Sequence, residues 1–514
     1  MGSEASARRT FARPASDELK RKSVRGGFVA VAAQGVKVLL QTGTLMVLAR
    51  LLSPDDFGVA GMAATLTGFL SLFKDAGLSG ATVQRRDVTH EQISTLFWIN
   101  LAVGVGLTIC TVLLAPAVVQ FYGEPRLYWI VIVTGVSFMF NGLVAQHGAL
   151  ITREMRFAAQ ARIELTALVA GSAVGVVMAF LGWQYWSLVG MGLVSSIVTA
   201  AGVLLAVPWA PGPPRRGVGI RSMLRFGGLS TCSGLLVFLA WNSDNILVGR
   251  FWGTQALGLY GRAYQLATLP VEQLTSTLSR VAISGLSAVQ DDADRLSRSF
   301  LRGYSLLLSA TIPIALACPL FAEEIIHVLL GDKWTGVVPI FRLLAPTSLV
   351  FALANPLSWL VTATGRVGRA VSITATATPV VIIGILLGLS HGPTGVAMGY
   401  SAAMVLILFP ITAWSKQGTG ITWSDLWDVT RKPLFAGLLA GVIGFGAKVT
   451  FGAALAPILV LALGVGMVFS VYAGALVAMG QKRLYLDLLT ELLSKGAPQT
   501  MTIPAQNGQI RAQN

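Results

Sequence analysis

Apolar stretches about as long as a lipid bilayer is thick alternate with short polar segments along most of the chain. A membrane-spanning helix needs roughly 20 predominantly apolar residues, and fourteen stretches approach or exceed that length between Gly26 and Met479. They cover approximately residues 26–49, 57–73, 93–119, 127–150, 163–181, 186–208, 222–249, 256–280, 303–320, 338–363, 370–389, 393–413, 433–450 and 456–478. The pattern predicts an all-α integral membrane protein with about fourteen transmembrane helices.

Polar segments flank this apolar region at both ends. Residues 1–25 form a basic tail without an apolar core, and the stretch that follows it is too long for a cleaved signal peptide. Within the tail 479–514, leucines recur every four residues from Leu484 to Leu492, which is typical of a short amphipathic helix lying on a membrane surface or docking on the bundle. The connections between stretches are too short to hold a soluble domain.

Basic residues are concentrated in every second connection. One set of connections and the two tails carry most of the 38 Lys and Arg residues, whereas the other set holds only Arg50, Arg126, Arg250, Lys333 and Lys448. Because cytoplasmic loops are enriched in Lys and Arg, we expect the basic connections and both termini on the cytoplasmic side. Two termini on one side require an even number of spans.

The composition agrees with lipid as the main surroundings. Hydrophobic residues make up 54% of the 514 residues and charged residues 12%, with a mean hydropathy of +0.69, whereas a soluble domain is about one quarter charged. Disordered chains need the opposite composition, and three cysteines without CxxC spacing indicate neither a disulfide framework nor a metal site. The net charge of +15 is spread along the chain, which argues against nucleic acid as a partner.

Two segments 200 residues apart align without gaps. ARLLSPDDFGVAGMA begins at Ala49 and GRFWGTQALGLYGRA begins at Gly249. The identical positions pair Arg50 with Arg250, Gly58 with Gly258, Gly61 with Gly261 and Ala63 with Ala263. Both segments lie at a turn between the first and second spans of a block. We expect structural roles for them, because Gly lets helices approach closely and Arg can extend to the membrane interface.

Six spans separate the two copies, so both blocks enter the membrane in the same direction. Such parallel repeats are related by an axis along the membrane normal and form two-lobed transporters. The spans then group into six-helix lobes at 26–208 and 222–413, joined by a cytoplasmic linker at 209–221. A cytoplasmic loop at 414–432 and two extra C-terminal spans at 433–478 complete the predicted organisation.

The repeat segments also carry a resemblance to a known family. LARLLSPDDFGVAGMA followed by KDAGLSGATVQR, and SDNILVGRFWGTQALGLYGRAYQL followed by Pro270, are similar to the multidrug/oligosaccharidyl-lipid/polysaccharide exporter superfamily. Within it, the chain from about Lys20 to Gly480 resembles bacterial polysaccharide transporters of the Wzx type, in the branch of colanic-acid, xanthan and succinoglycan exporters. The resemblance implies a flippase without a cofactor, not an enzyme. It would move undecaprenyl-diphosphate-linked repeat units to the outer leaflet of the bacterial inner membrane, beside a polymerase and a chain-length regulator.

The first span carries a polar stripe. Its members are Gln34, Lys37, Gln41 and Thr44. Their spacing of 3, 4 and 3 residues places them on one helical face. An ammonium this deep in a span suits a water-filled cavity between lobes, whereas hydrogen bonding between helices would also account for the Gln and Thr side chains.

Ionisable residues inside other predicted spans mark further candidate sites, because each is costly in lipid. The candidates for binding an anionic substrate are Gln34, Lys37, Gln41, Lys74, Arg262, Gln265, Arg280 and Arg342. The candidates for coupling transport to protons or sodium are Asp75, Asp244 and Glu272. The five cations outnumber the three anions, which favours an anionic ligand such as a lipid diphosphate that Arg can bind with paired N–H donors. Alternatively, these charges pair with one another and hold the lobes together.

Two other functions are compatible with the sequence. An ion-coupled multidrug or cation antiporter of the same superfamily would share the fold, although that branch usually has twelve spans and an acidic cavity. A membrane glycosyltransferase or polymer ligase would need catalytic carboxylates on a sizeable loop, and the non-cytoplasmic side offers only the acidic pairs at 55–56 and 323–324. The chain has no GxxxxGK[ST] motif for ATP, so an ion gradient or consumption of the product would drive transport.

Overall fold

Helices make up nearly all of the fold. A computed structural model describes residues 16–74, 78–84, 88–215, 221–451 and 455–481. Sixteen α-helices and no β-strand occur in these ranges. In chain order they are α1 (Ser16–Leu51), α2 (Pro54–Ser71), α3 (Leu78–Gln84), α4 (His90–Tyr122), α5 (Leu127–Arg153), α6 (Phe157–Phe180), α7 (Trp186–Ala206), α8 (Arg221–Ser287), α9 (Ala293–Leu320), α10 (Ala322–Leu329), α11 (Val337–Ala354), α12 (Leu357–Ala363), α13 (Val367–Gly388), α14 (Gly392–Lys416), α15 (Trp423–Phe451) and α16 (Pro457–Leu476).

The predicted apolar stretches lie on these helices, but α1, α9 and α15 each begin ten residues before the predicted stretch, and the stretch 338–363 falls on two helices, α11 and α12. Two of the stretches fall on α8, which is broken at Gly253, where φ is 79° and ψ is −172°. We call its halves α8a (221–252) and α8b (254–287). By length and composition, nine helical segments of the described ranges can cross a membrane. The all-α, multi-pass fold is therefore confirmed, and the count of fourteen spans stays a prediction. The amphipathic helix expected at 484–493 lies outside the described residues.

Local sequence accounts for where the helices begin. At the start of α2, the Ser53 side chain accepts a hydrogen bond from the Asp56 backbone N–H at 3.2 Å, and the Asp56 carboxylate accepts one from the Ser53 N–H at 2.9 Å. This reciprocal capping box satisfies backbone donors that a helix start otherwise leaves unpaired. Pro54, at the first helical position, needs no such partner. Thr89 and Gln92 form the same arrangement before α4.

The helices pack in two groups. In the N-lobe, α1–α7, helix α4 packs along α5, α6 along α7 and α1 along α6. In the C-lobe, α8–α14, helix α8 contacts α11, α13 and α14. Helices α15 and α16 pack against each other, and α15 also packs on α9. The main contact between the lobes is that of α2 with α8. The predicted residue boundaries of these units stay predictions.

The connections gather at two ends of the bundle. Contacts among connections bring together 50–54, 123–126, 250–254 and 330–336, and we call this the turn end. The opposite end, called the linker end, holds the connection 207–215, where the Gly212 carbonyl accepts a hydrogen bond from Trp98 Nε1 at 2.9 Å. The described connection at 154–156 also lies at this end, because Arg156 Nη1 donates to the Ala206 carbonyl oxygen at 2.9 Å.

The two lobes cross at the two copies of the repeat. A Cβ atom added to Gly58 would lie 1.7 Å from the Thr254 carbonyl oxygen, and one added to Gly258 would lie 1.8 Å from the Pro54 carbonyl oxygen. Position 54 corresponds to 254 in the repeat, and 58 corresponds to 258, so the contact is reciprocal, like that of a two-fold interface. Only glycine permits backbones to meet at this distance. The second glycine of each copy is packed less tightly. A Cβ atom added to Gly61 would lie 3.5 Å from the Leu257 side chain, and no described atom lies within 4 Å of one added to Gly261.

The arginines of the repeat also contact the opposite lobe. Arg50 donates through Nη2 to the Val328 carbonyl oxygen at 3.1 Å, and the Arg250 guanidinium lies 5.7 Å from the centre of the Phe121 ring. Next to Arg50, the buried Trp334 donates from Nε1 to the Ala49 carbonyl oxygen at 2.8 Å. Hydrogen bonds to backbone carbonyl oxygens therefore hold the end of α1 against the C-lobe.

A polar cluster covers the crossing at the turn end. Thr254 Oγ1 donates to Asp55, and Arg126 donates to the same carboxylate at 2.6 Å and to Glu124 at 2.8 Å. Hydrogen bonds from the Arg126 guanidinium hold the pKa values of Asp55 and Glu124 below their usual range, against the opposing effect of burial. Both carboxylates thus stay ionised, and Asp55 links the lobes through Thr254.

Gly58→Ala should destabilise the protein, because its methyl group would meet the Thr254 backbone. Overpacking of a tight contact typically costs about 1–3 kcal/mol. Melting temperature in detergent, followed by tryptophan fluorescence, measures the effect. Gly61→Ala is the matched control on the same helix, because its methyl group would meet only the Leu257 side chain, at 3.5 Å. Equal melting temperatures for the two variants would contradict a special role for the Gly58 contact.

Candidate functional site

A cavity of about 630 Å³ lies between the two lobes. Helices α1, α2, α6 and α7 line it from the N-lobe, and α8b, α9, α10 and α11 line it from the C-lobe. Its lining is mostly apolar. The polar side chains that reach it are Gln41, Thr42, Thr44, Ser172, Arg262 and Gln265. An apolar cleft with a few convergent polar groups is the usual form of a ligand site.

Arg262 brings a positive charge to this cavity. Its guanidinium carbon lies 4.8 Å from the centre of the Phe57 ring on α2, so the cation rests on an aromatic face of the opposite lobe. Its Nε atom and Oε1 of Gln265 are buried and have no hydrogen-bond partner among the described residues. Within the described ranges, no carboxylate lies at ion-pair distance from Arg262. This cation is therefore available to an anionic ligand.

The polar stripe of α1 is divided between two cavities. Gln41 and Thr44 line the interlobe cavity, whereas Gln34 and Lys37 line a smaller one of about 120 Å³ between α1 and α6. Gln34 Nε2 also donates to Gln273 Oε1 at 2.8 Å, a hydrogen bond that joins the lobes nearer the linker end. The interlobe cavity thus lies between this hydrogen bond and the glycine crossing at the turn end.

Lys37 has an acidic neighbour that the sequence reasoning missed. Its Nζ atom lies 3.3 Å from Oε2 of Glu164 on α6. Glu164 stands at the second position of the predicted span 163–181, so a count of every acid inside the predicted bounds would have found it. The pairing with Lys37 could not be read from sequence, because 127 residues separate the two.

Asp244 is buried within the C-lobe. Tyr260 Oη donates to its Oδ2 at 2.9 Å, and the Asn245 backbone N–H donates to its Oδ1 at 2.7 Å. Tyr260 stacks on Tyr264, whose hydroxyl lies 3.3 Å from that of Tyr400. Within the described ranges no cation pairs with Asp244, so the carboxylate is held by neutral donors.

The remaining predicted site residues lie elsewhere. Glu272 on α8b and Lys74 after α2 are exposed. Arg342 donates to Glu323 at 3.0 Å at the turn end. Asp75 and the side chain of Arg280 lie outside the described residues. The structure therefore brings Gln41, Arg262 and Gln265 together, and it does not bring the other described candidates to the same cavity.

The acidic pairs at the turn end have structural partners. Asp55 binds Arg126 and Thr254, and Asp56 caps α2. Glu324 accepts a hydrogen bond from Lys448 Nζ at 2.8 Å, and Glu323 binds Arg342. In the part of the chain that the structure describes, no three His, Cys, Asp or Glu residues group as metal ligands.

Known proteins are similar to this chain in sequence. It is 24% identical to the lipopolysaccharide biosynthesis protein WzxC of Escherichia coli strain K12 over 398 residues, which is 76% of this chain and 80% of that protein. It is 26% identical to the succinoglycan biosynthesis transport protein ExoT of Rhizobium meliloti strain 1021 over 326 residues, which is 60% of this chain and 64% of that protein.

A solved structure has the same fold. The lipid II flippase MurJ in an inward closed conformation superposes with a TM-score of 0.72 and 13% sequence identity, covering 89% of this chain and 100% of that one. At this identity the likeness concerns the fold alone.

The family match includes both copies of the repeat and the whole of α8b. The family described as "Polysaccharide biosynthesis protein" matches residues 47–339, more than half of the chain. The resemblance that the repeat segments indicated is thereby confirmed. The chain belongs to the polysaccharide biosynthesis protein family.

Proposed function

We propose that this chain is a flippase for undecaprenyl-diphosphate-linked oligosaccharides. It would move these repeat units across the bacterial inner membrane for the synthesis of exopolysaccharide, capsule or O-antigen. The observation that carries the proposal is Arg262, a cation in a cavity between two lobes with no carboxylate of the described ranges as its counter-ion. The relatives named for lipopolysaccharide and succinoglycan biosynthesis support the class of substrate, and a lipid II flippase shares the fold.

The cavity matches the chemistry of a lipid diphosphate. Such a ligand joins a polar glycan to an apolar chain through a group with concentrated negative charge. Arg262 presents N–H donors suited to phosphate oxygens, and an apolar lining strengthens the attraction because it excludes water. Gln41 and Gln265 can exchange hydrogen bonds with sugar hydroxyls at the same level of the bundle.

The contacts between the lobes suit alternating access. At the turn end the lobes meet through the glycine crossing and Asp55–Thr254, and nearer the linker end they meet through Gln34–Gln273. We propose that the two sets of contacts open in turn, with the linker end and both termini in the cytoplasm. A polymerase and a chain-length regulator in the same membrane would use the product.

Asp244 is the best-placed candidate for coupling transport to protons or sodium, ahead of Glu272 and Asp75. It is 1% exposed, and its partners are the Tyr260 hydroxyl and a backbone N–H rather than a cation. Binding or release of a proton or sodium ion at Asp244 on α8a would therefore change its hydrogen bond with Tyr260 on α8b.

The alternative functions fit the site less well. A cationic drug or other cation would be repelled by Arg262 in the cavity, although an antiporter of the same superfamily would share the fold. A glycosyltransferase or polymer ligase would need free carboxylates, whereas the acidic pairs at 55–56 and 323–324 already bind structural partners.

Arg262→Ala should reduce flipping by roughly 10- to 100-fold, the range expected for a lost charged hydrogen bond. The assay reconstitutes the protein in liposomes with a fluorescent undecaprenyl-diphosphate oligosaccharide and follows its accessibility in the opposite leaflet. Arg262→Lys should retain part of the activity, because it keeps the charge but not the paired donors. Arg295→Ala, in an exposed pair with Asp292, is the control. Unchanged flipping by Arg262→Ala would refute the proposed phosphate contact.

Asp244→Asn should abolish the dependence of flipping on a proton or sodium gradient, because the side chain can no longer gain or lose charge. The same liposome assay, run with and without each gradient, measures the dependence. Asp292→Asn removes an exposed carboxylate of the loop before α9 and should leave the dependence intact. If Asp244→Asn still responds to the gradient, another residue couples the ion.

A further inference from the structure

Lys37 and Glu164 form an ion pair beside a small cavity between α1 and α6. Lys37 Nζ lies 3.3 Å from Glu164 Oε2, and Gln160 Nε2 donates to Glu164 Oε1 at 3.1 Å. The cavity that they line with Gln34 has a volume of about 120 Å³, enough for several water molecules. The Lys37 and Glu164 side chains are 33% and 44% exposed. An ion pair that water reaches contributes little to stability.

The pair lies on the route to the interlobe cavity. Lys37 shares a face of α1 with Gln41, which lines that cavity together with Arg262. Four residues of helix correspond to about 6 Å along the axis, so Lys37 stands one turn nearer the linker end than Gln41. A phosphate group that moves between the linker end and Arg262 along this stripe therefore passes Lys37.

Glu164 has space on a second side. Glu164 and Gln160 also line a cavity of about 330 Å³ inside the N-lobe, between α3, α5, α6 and α7. A rotation of the carboxylate away from Lys37 towards this cavity would move it into open space. Lys37 can then offer its ammonium donors to another anion.

We propose that Glu164 sets the affinity of Lys37 for the substrate by competing with its phosphate groups. The inference rests on the proposed function and extends it to a residue on the route to Arg262. In the empty protein Glu164 neutralises Lys37. An arriving diphosphate displaces the Glu164 carboxylate and binds the Lys37 ammonium. When the carboxylate returns, it competes for the ammonium, and the phosphate moves on to Arg262.

Binding of undecaprenyl diphosphate without a glycan tests the proposal. Removal of the competing charge in Glu164→Gln should tighten binding to the purified full-length protein by roughly two- to fivefold, the range that corresponds to solvent-exposed ion pairs. In liposomes, the same variant should flip the lipid-linked oligosaccharide more slowly, because release from Lys37 is slower. Lys37→Ala should bind more weakly, and adding Glu164→Gln to it should cause no further change.

Two further variants separate competition from other effects. Glu154→Gln removes the acid of the Glu154–Arg156 pair, which has a distance of 3.6 Å and comparable exposure at the same end of the N-lobe, and it should leave affinity unchanged. Glu164→Asp keeps the charge on a shorter side chain and should give an affinity between those of the wild type and Glu164→Gln. It also provides the test if the Gln variant does not fold.

The outcomes distinguish the inference from the function on which it rests. If the wild type binds the lipid diphosphate and Glu164→Gln binds it no more tightly, the competing role is wrong and the proposed function stands. If Glu164→Gln lowers the melting temperature without changing the affinity, the ion pair only holds α1 and α6 together, and the competing role is wrong. Absence of lipid diphosphate binding by the wild type would overturn both.

Discussion

The crossing of α2 and α8b at Gly58 and Gly258 is the contact on which the arrangement of the lobes depends. Helices in lipid gain little from hydrophobic association, so close backbone packing and hydrogen bonds between helices hold them together. Each glycine meets a backbone carbonyl group of the opposite copy of the repeat. This reciprocal contact brings the lobes together at the turn end, and the cavity that contains Arg262 begins one turn further along α8b.

Acids near this crossing are paired with cations, because Asp55 and Glu124 bind Arg126 and Glu323 binds Arg342. The two arginines of the repeat contact a backbone carbonyl group and an aromatic ring at the turn end. Arg262 instead rests on the Phe57 ring and faces the cavity without a counter-ion in the described ranges. A cation in apolar surroundings is costly unless a ligand compensates it. This cost is the physical reason to place the substrate's negative charge beside Arg262.

The predicted spans hold more cations than acids, and this surplus predicted an anionic ligand. The cations that make up the surplus, however, have different surroundings in the structure. Of the four cations whose side chains the structure describes, Lys37 and Arg342 belong to ion pairs, Lys74 is exposed, and Arg262 reaches the interlobe cavity. The helical spacing of Gln34, Lys37 and Gln41 correctly predicted a shared face, yet that face serves two cavities. Glu164 was missed because it lies at the border of an apolar stretch, where an acid is easily assigned to the interface.

The sequence by itself determined the long apolar helices and the family, but not the short helices α3, α10 and α12. Properties of short segments can be read along the chain. They include span length, capping residues such as Ser53, and the repeat at 49–63 and 249–263. Only the tertiary structure decided which charges are paired and which one faces the cavity. Lys37 and Glu164 are 127 residues apart, and Phe57 and Arg262 come from opposite lobes. Such pairs depend on how whole helices cross, and the spacing of residues within one helix carries no information about its neighbour.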